Sequence, residues 1–222
     1  MNSKAEKAVI NGLLWLSLLT AMVIASDPDL LQDFCVADVS KGAVKVNGFV
    51  CKDPKKVKPS DFLFKGLRKP GLTNNTFSGK VTSGNVQSFP GLNTLGISMN
   101  RVDLAPGGIN PPHTHPRATE IVYLMKGTIL AAFIGTDNVF YSQKMKKGDV
   151  FVIPRGLVHF QQNIGSSNAV AITAFNSQLP GAQVLPLTLF GSSPAIPEEV
   201  LAKAFQISKK EVKEISSKFT PS

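Results

Sequence analysis

The chain has 222 residues, a formal net charge of +9 and 43% hydrophobic residues, a length and composition suited to one domain with a sizeable core. Its basic residues are scattered apart from a modest cluster at Lys52, Lys55, Lys56 and Lys58. With no aromatic-interleaved basic stripe and no nucleic-acid motif, a nucleic-acid partner is excluded.

In chain order, the first feature is an export signal. Lys4 and Lys7 precede an apolar run that starts at Leu13 and ends at Ile24, and Val23 and Ala25 occupy positions −3 and −1 of a small-residue cleavage site. The run is short for a membrane span, and polar Ser26-Asp27-Pro28-Asp29 follows it. The expectation is a signal peptide over residues 1–25 that is cleaved to leave a secreted chain with no stable membrane span. Cleavage leaves 197 residues of net charge +8. An exported basic protein suits acidic wall polysaccharide or small anions, which a positive field attracts.

Residues 26–60 are irregular and rich in Asp, Lys and Pro, and read as an arm. The arm holds both cysteines, Cys35 and Cys51, which allow a single intramolecular pairing. A disulfide there would contribute on the order of 3 kcal/mol. Asn74, in Asn74-Asn75-Thr76, is the only N-glycosylation acceptor in the chain.

Residues 61–195 read as an all-β unit. From residue 89 onward, short strands alternate with Gly/Pro turns. They are expected over 95–104, 121–125, 128–134, 150–153, a segment carrying His159, 169–176 and 183–188. Many short strands with regular turns point to a sandwich or barrel. Residues 196–222 change to helix. Pro197-Glu198-Glu199 places proline at the first position and acids in the first turn. Ser208 and Glu211 form a capping box, with Ile207 and Val212 as its staple.

Three histidines are present, and all lie in two turn-rich motifs. In an extended strand, His113 and His115 point to one face. Glu120 has the opposite parity, and Pro116 breaks the run, so Glu120 opens the next strand and returns toward the same centre. His159 comes from a third strand. Imidazoles and a carboxylate converging in this way suit a divalent transition metal. On physical grounds alone, zinc, iron and manganese all remain open.

Gly107-Gly108-x4-His113-x-His115-x4-Glu120-x6-Gly127 resembles the first cupin motif, and Gly148-Asp149-x4-Pro154-x-Gly156-x2-His159-x3-Asn163 the second. The segment from Asp27 to Cys35 and the stretch Pro186-Leu187-Thr188-Leu189-Phe190-Gly191 resemble plant germins and germin-like proteins. The resemblance covers essentially the whole mature chain. It implies a cupin β-jelly-roll barrel with a disulfide-pinned arm and C-terminal α-helices. It also implies one Mn2+ on His113, His115, Glu120 and His159, a Cys35–Cys51 bond, and a homo-hexamer built as a trimer of dimers in the apoplast. Three activities are consistent with it. The first is superoxide dismutation, which yields hydrogen peroxide with a role in defence. The second is oxalate oxidation, for which Asn100 and Asn110 match the substrate-facing asparagines of the true germins. The third is a non-enzymatic wall receptor or binding glycoprotein, with Lys147-Gly148-Asp149 as an adhesion-like tripeptide.

Overall fold

The computed structural model describes residues 32–40 and 47–219, so the expected signal over residues 1–25 lies outside the described residues. Among the described residues, ten strands form two antiparallel five-stranded sheets packed face to face as a jelly roll. The strands are β1 (Gly79–Gly84), β2 (Ser98–Leu104), β3 (Ile109–Thr114), β4 (Glu120–Lys126), β5 (Thr128–Ile134), β6 (Phe140–Lys146), β7 (Val150–Ile153), β8 (Val158–Asn163), β9 (Ala169–Phe175) and β10 (Gln183–Val184). One sheet runs β1-β2-β9-β4-β7 and the other β10-β3-β8-β5-β6. Three helices follow: α1 (Leu185–Phe190), α2 (Glu198–Phe205) and α3 (Lys209–Ser216). Among the described residues, no helix is long and apolar enough to cross a membrane.

Side chains alternate in and out along each strand, so register sets what the interior contains. On β4, Glu120, Val122 and Leu124 face inward, and on β9 Ala169, Ala171, Thr173 and Phe175 do. Val102, Leu104, Val122, Leu124, Ile129, Ala131, Met145, Ile153, Ala169 and Ala171 form the apolar core. Truncating Leu124, which is fully buried, would cost about 2–5 kcal/mol. The inward rank climbs from Leu124 through Val122 to Glu120, so the polar site sits at one end of an apolar floor. Gly127 is the single residue between β4 and β5. Its φ is +89°, and a Cβ there would lie 2.7 Å from Ala169 Cα, so only glycine makes this turn.

The arm is pinned as expected. Cys35 and Cys51 form a disulfide across a separation of 16 residues. Asn93, fully buried, clamps it: its Oδ1 accepts from Phe49 N at 2.9 Å, and its Nδ2 donates to Phe49 O at 2.9 Å. Lys52 of the basic cluster pairs with Asp61 at 2.7 Å.

The structure corrects several expected elements. The strand expected over 183–188 exists only at Gln183–Val184, and Leu185–Phe190 is helical. The alternating leucines at 185, 187 and 189 suggest a strand, but Pro186 lacks an N–H and sits where a helix begins. The strand expected from residue 95 starts at Ser98. Pro197 is the N-cap of α2 rather than its first residue. Strands β1 and β6 were not anticipated, because Gly79–Gly84 and Phe140–Lys146 carry little inward apolar patterning. The Ser208–Glu211 capping box forms as read.

Candidate metal centre

The local sequence explains how the site is aimed. Strand β3 pairs with β8 at Ile109–Gln162 and Asn110–Gln161, then shifts register before His113 meets His159. The shift falls on Pro111-Pro112, two residues that cannot donate to a ladder, and the resulting bulge re-aims His113. His115 leaves β3 in the turn, Glu120 is the first residue of β4, and His159 lies on β8. The ligand atoms of His113, His115, Glu120 and His159 all lie within 4.8 Å of one another, and all four residues are buried. Donors each about 2.1 Å from one shared ion sit about 3–4 Å apart, so the group is the right size to hold a metal ion.

The protonation pattern is fixed by backbone carbonyls, which can only accept. His113 Nδ1 donates to Pro111 O at 2.8 Å, His159 Nδ1 donates to Leu157 O at 2.8 Å, and His115 Nδ1 donates to Gly181 O. The three Nε2 atoms therefore carry lone pairs and are free to ligate. Glu120 Oε2 lies 2.9 Å from His159 Nε2 and 3.3 Å from His115 Nε2. These separations are short enough for ion pairs, yet Glu120 Oε2 and His159 Nε2 have no hydrogen-bond partner. Proximity without a donor is what two acceptors show when a cation belongs between them. That is the fit of this residue set to a metal.

Electrostatics agree. Burial, with the neighbouring rings of His159 and His115, lowers the His113 pKa to about 3, which keeps the ring neutral. Burial alone would raise Glu120, but the approach of His115 and His159 outweighs it and holds the carboxylate at about 2. Neutral imidazoles and an ionised carboxylate are the forms that ligate.

The other anticipated residues take distinct places. Asn110 Nδ2 donates to Gln161 Oε1 at 2.8 Å and lies 3.5 Å from His113 Nε2. Asn100 is buried on the inner face of β2, directly opposite Thr173. Asn74 is exposed in the loop before β1. Lys147-Gly148-Asp149 closes a tight turn, with Asp149 Oδ2 accepting from Lys146 N at 2.7 Å and Gly148 at φ +96°. Asn163 braces the loop above it, donating to Leu104 O and Ser167 O.

Sequence reasoning passed over three residues at this centre. Gln161 is fully buried, holds Asn110, and leaves its own Nε2 without a partner. Its signal was parity, since it stands two residues from His159 on β8. Phe175 packs edge-on to the His115 ring at 4.7 Å. Gly181, 66 residues from His115, supplies the carbonyl that orients it. No local pattern marks such a contact.

Residues 65–213 match the cupin family model. The chain is 59% identical over 197 residues to germin-like protein subfamily 2 member 1 of Arabidopsis thaliana, covering 89% of this chain and 90% of that protein. It is 52% identical over 223 residues to nectarin-1 of Nicotiana langsdorffii x Nicotiana sanderae, covering 100% of this chain and 96% of that protein. Among solved structures it is similar to an oxalate oxidase in complex with the substrate analogue glycolate. That match has a TM-score of 0.85 and 50% identity, and covers 87% of this chain and 98% of that one. With both cupin motifs meeting in one buried three-histidine, one-carboxylate group, the chain belongs to the germin-like proteins of the cupin family.

Proposed function

We propose that this protein is a secreted, manganese-binding germin-like protein that dismutates superoxide, converting two superoxide anions and two protons to dioxygen and hydrogen peroxide. The observation that carries the reading is the buried group of three imidazoles and one carboxylate whose ligand atoms lie within 4.8 Å of one another, with the partnerless Glu120 Oε2 2.9 Å from the partnerless His159 Nε2. Mn2+ bound there would supply one-electron cycling between its +2 and +3 states, with coordination positions left for a small oxygen ligand. His113, His115 and His159 would be neutral ligands, and Glu120 would lower the net charge of the centre. The backbone carbonyls of Pro111, Leu157 and Gly181 hold the three rings in the ligating tautomer. Val122 and Ile153, both fully buried, help form the apolar floor that keeps bulk water from the inner side. The net charge of +8 that signal cleavage would leave favours approach of an anion.

Peroxide made outside the cell supports a role in defence. The signal-like N-terminus supports export to the apoplast. The outer face of β4 and β7 supports assembly into the hexamer. There Ile121 pairs with Val152 and Tyr123 with Val150, all four exposed, leaving an apolar strip suited to another copy.

Oxalate oxidation is the second reading, favoured by the 50% identity to an oxalate oxidase and by amides at Asn100 and Asn110. The test uses the secreted glycoprotein. Elemental analysis is expected to return about one manganese per chain, with superoxide removal that disappears on chelation. Full manganese occupancy without superoxide removal would overturn the reading. Peroxide release from oxalate at a rate exceeding superoxide removal would install the second reading instead.

A further inference from the structure

Strand β9 ends at Phe175 and β10 begins at Gln183, and the chain between them passes His115, whose Nδ1 donates to Gly181 O. The two preceding carbonyls are also turned outward: Pro180 O accepts from Arg117 N at 3.2 Å and Leu179 O from Arg117 Nε at 2.8 Å. The footing of these three residues is slight. Leu179 N donates to Ser177 Oγ at 3.2 Å, Pro180 has no N–H, and Gly181, at φ +70°, belongs to the residue type with the freest backbone.

What holds the stretch lies just before it. Ser177 O accepts from Ser98 Oγ at 2.7 Å, and Gln178 O accepts from Val86 N at 3.0 Å. The Gln178 side chain is buried and engaged at both ends. Its Oε1 accepts from Thr94 N, 84 residues away, and its Nε2 donates to Asn47 O at 3.4 Å, 131 residues away. Asn47 lies inside the loop that the Cys35–Cys51 disulfide closes. Thr94 follows Asn93, which clamps Phe49 of that loop and donates from Nδ2 to Cys35 Sγ at 3.2 Å. Both partners of the Gln178 amide therefore belong to the arm or to the turn that grips it. An amide whose donor and acceptor both end on backbone fixes position in a way that an apolar side chain of the same size does not.

We infer that Gln178 is a positioning residue of the metal centre: it ties the carbonyl that orients His115 to the disulfide-closed arm, so an arm that supplies no ligand sets how firmly one ligand is held. The inference rests on the metal-centre reading for its effect on metal, and on hydrogen bonds alone for the tie. His113 and His159 are internal controls, because their Nδ1 atoms donate to Pro111 O and Leu157 O, each only two residues away.

The experiment follows solvent exchange of the three histidine Nδ1 protons by NMR, on the full secreted protein carrying 15N-labelled histidine and freed of metal by chelation, and titrates Mn2+ separately. Gln178→Met removes both side-chain bonds at similar volume. It is expected to speed exchange of the His115 proton about 10-fold, to leave the His113 and His159 protons unchanged, and to weaken Mn2+ binding about 3–30-fold. Gln178→Glu keeps the acceptor for Thr94 N and is expected to recover part of both effects. Equal acceleration at all three histidines would make Gln178 merely structural and overturn the inference, as would a His115 proton indifferent to Gln178→Met. A wild type that binds no Mn2+, with His115 exchange still answering to Gln178→Met, would sink the metal reading and leave the tie supported.

Discussion

The carbonyl of Gly181 accepts from His115 Nδ1, while the face of the same glycine, bare of a Cβ, seats the guanidinium of Arg117. Leu179, Pro180 and Gly181 thus offer three consecutive carbonyls to the segment that carries His115 and Arg117. A strap of loop backbone, rather than a strand, orients one ligand of the centre.

Gly181→Ala should therefore act on the metal centre from outside it. At φ +70° an L-residue costs about 1–2 kcal/mol, and the added methyl collides with Arg117. We expect metal affinity to fall about 10–100-fold through misorientation of His115, as loss of an outer-shell partner does. Metal titration of the variant checks this. Unchanged affinity would show that His115 is held by other contacts, such as Phe175.

Glu120→Gln should weaken metal binding, because it removes the one anionic donor of the group. The carboxylate oxygen lies 2.9 Å and 3.3 Å from the His159 and His115 Nε2 atoms, where a neutral amide offers a cation no charge. The variant should bind metal at least about 10-fold more weakly. Thermal melts with and without added metal read the loss as a smaller metal-dependent rise in Tm. A metal-dependent rise as large as the parent's would refute the role of Glu120 as a ligand.

Acid should destabilise the metal-free protein over a defined window. Between pH 6.5 and about 3 the unfolded chain binds a proton at His113 that the folded chain refuses, so stability falls as pH drops. The slope from this one group is about 1.4 kcal/mol per pH unit. Glu120 adds to the loss from pH 4.5 to about 2, because the folded carboxylate resists the proton that the unfolded one takes up. Denaturant melts of chelated protein at several pH values are expected to show the decline, and His113→Asn should flatten its upper part.

Ser208→Ala tests the C-terminal helix apart from the centre. Ser208 Oγ accepts from Glu211 N at 3.2 Å, and Glu211 Oε2 accepts from Ser208 N at 2.7 Å. Removing the hydroxyl should cost about 1 kcal/mol, with Tm lower by about 2–4 °C and metal content unchanged. Loss of metal together with stability would tie α3 to the barrel more tightly than its contacts indicate.

The sequence alone specified the four donors through two motifs and their family likeness, the disulfide through having only two cysteines, and the capping box through short-range spacing. Parity puts His113 and His115 on one face, Pro116 breaks the run before Glu120, and Ser208 stands three residues before Glu211. It also gave the strand pattern wherever apolar residues mark an inward face, and missed β1 and β6 where they do not. Only the folded chain decided which carbonyls fix the imidazole tautomers, how Pro111-Pro112 shift the β3 register, that 185–190 is helical, and that Gly181 and Gln161 serve the centre. Those facts depend on pairings between residues tens of positions apart, such as His115 with Gly181 and Asn110 with Gln161. Such pairings are set by packing of whole sheets, and no local preference encodes them.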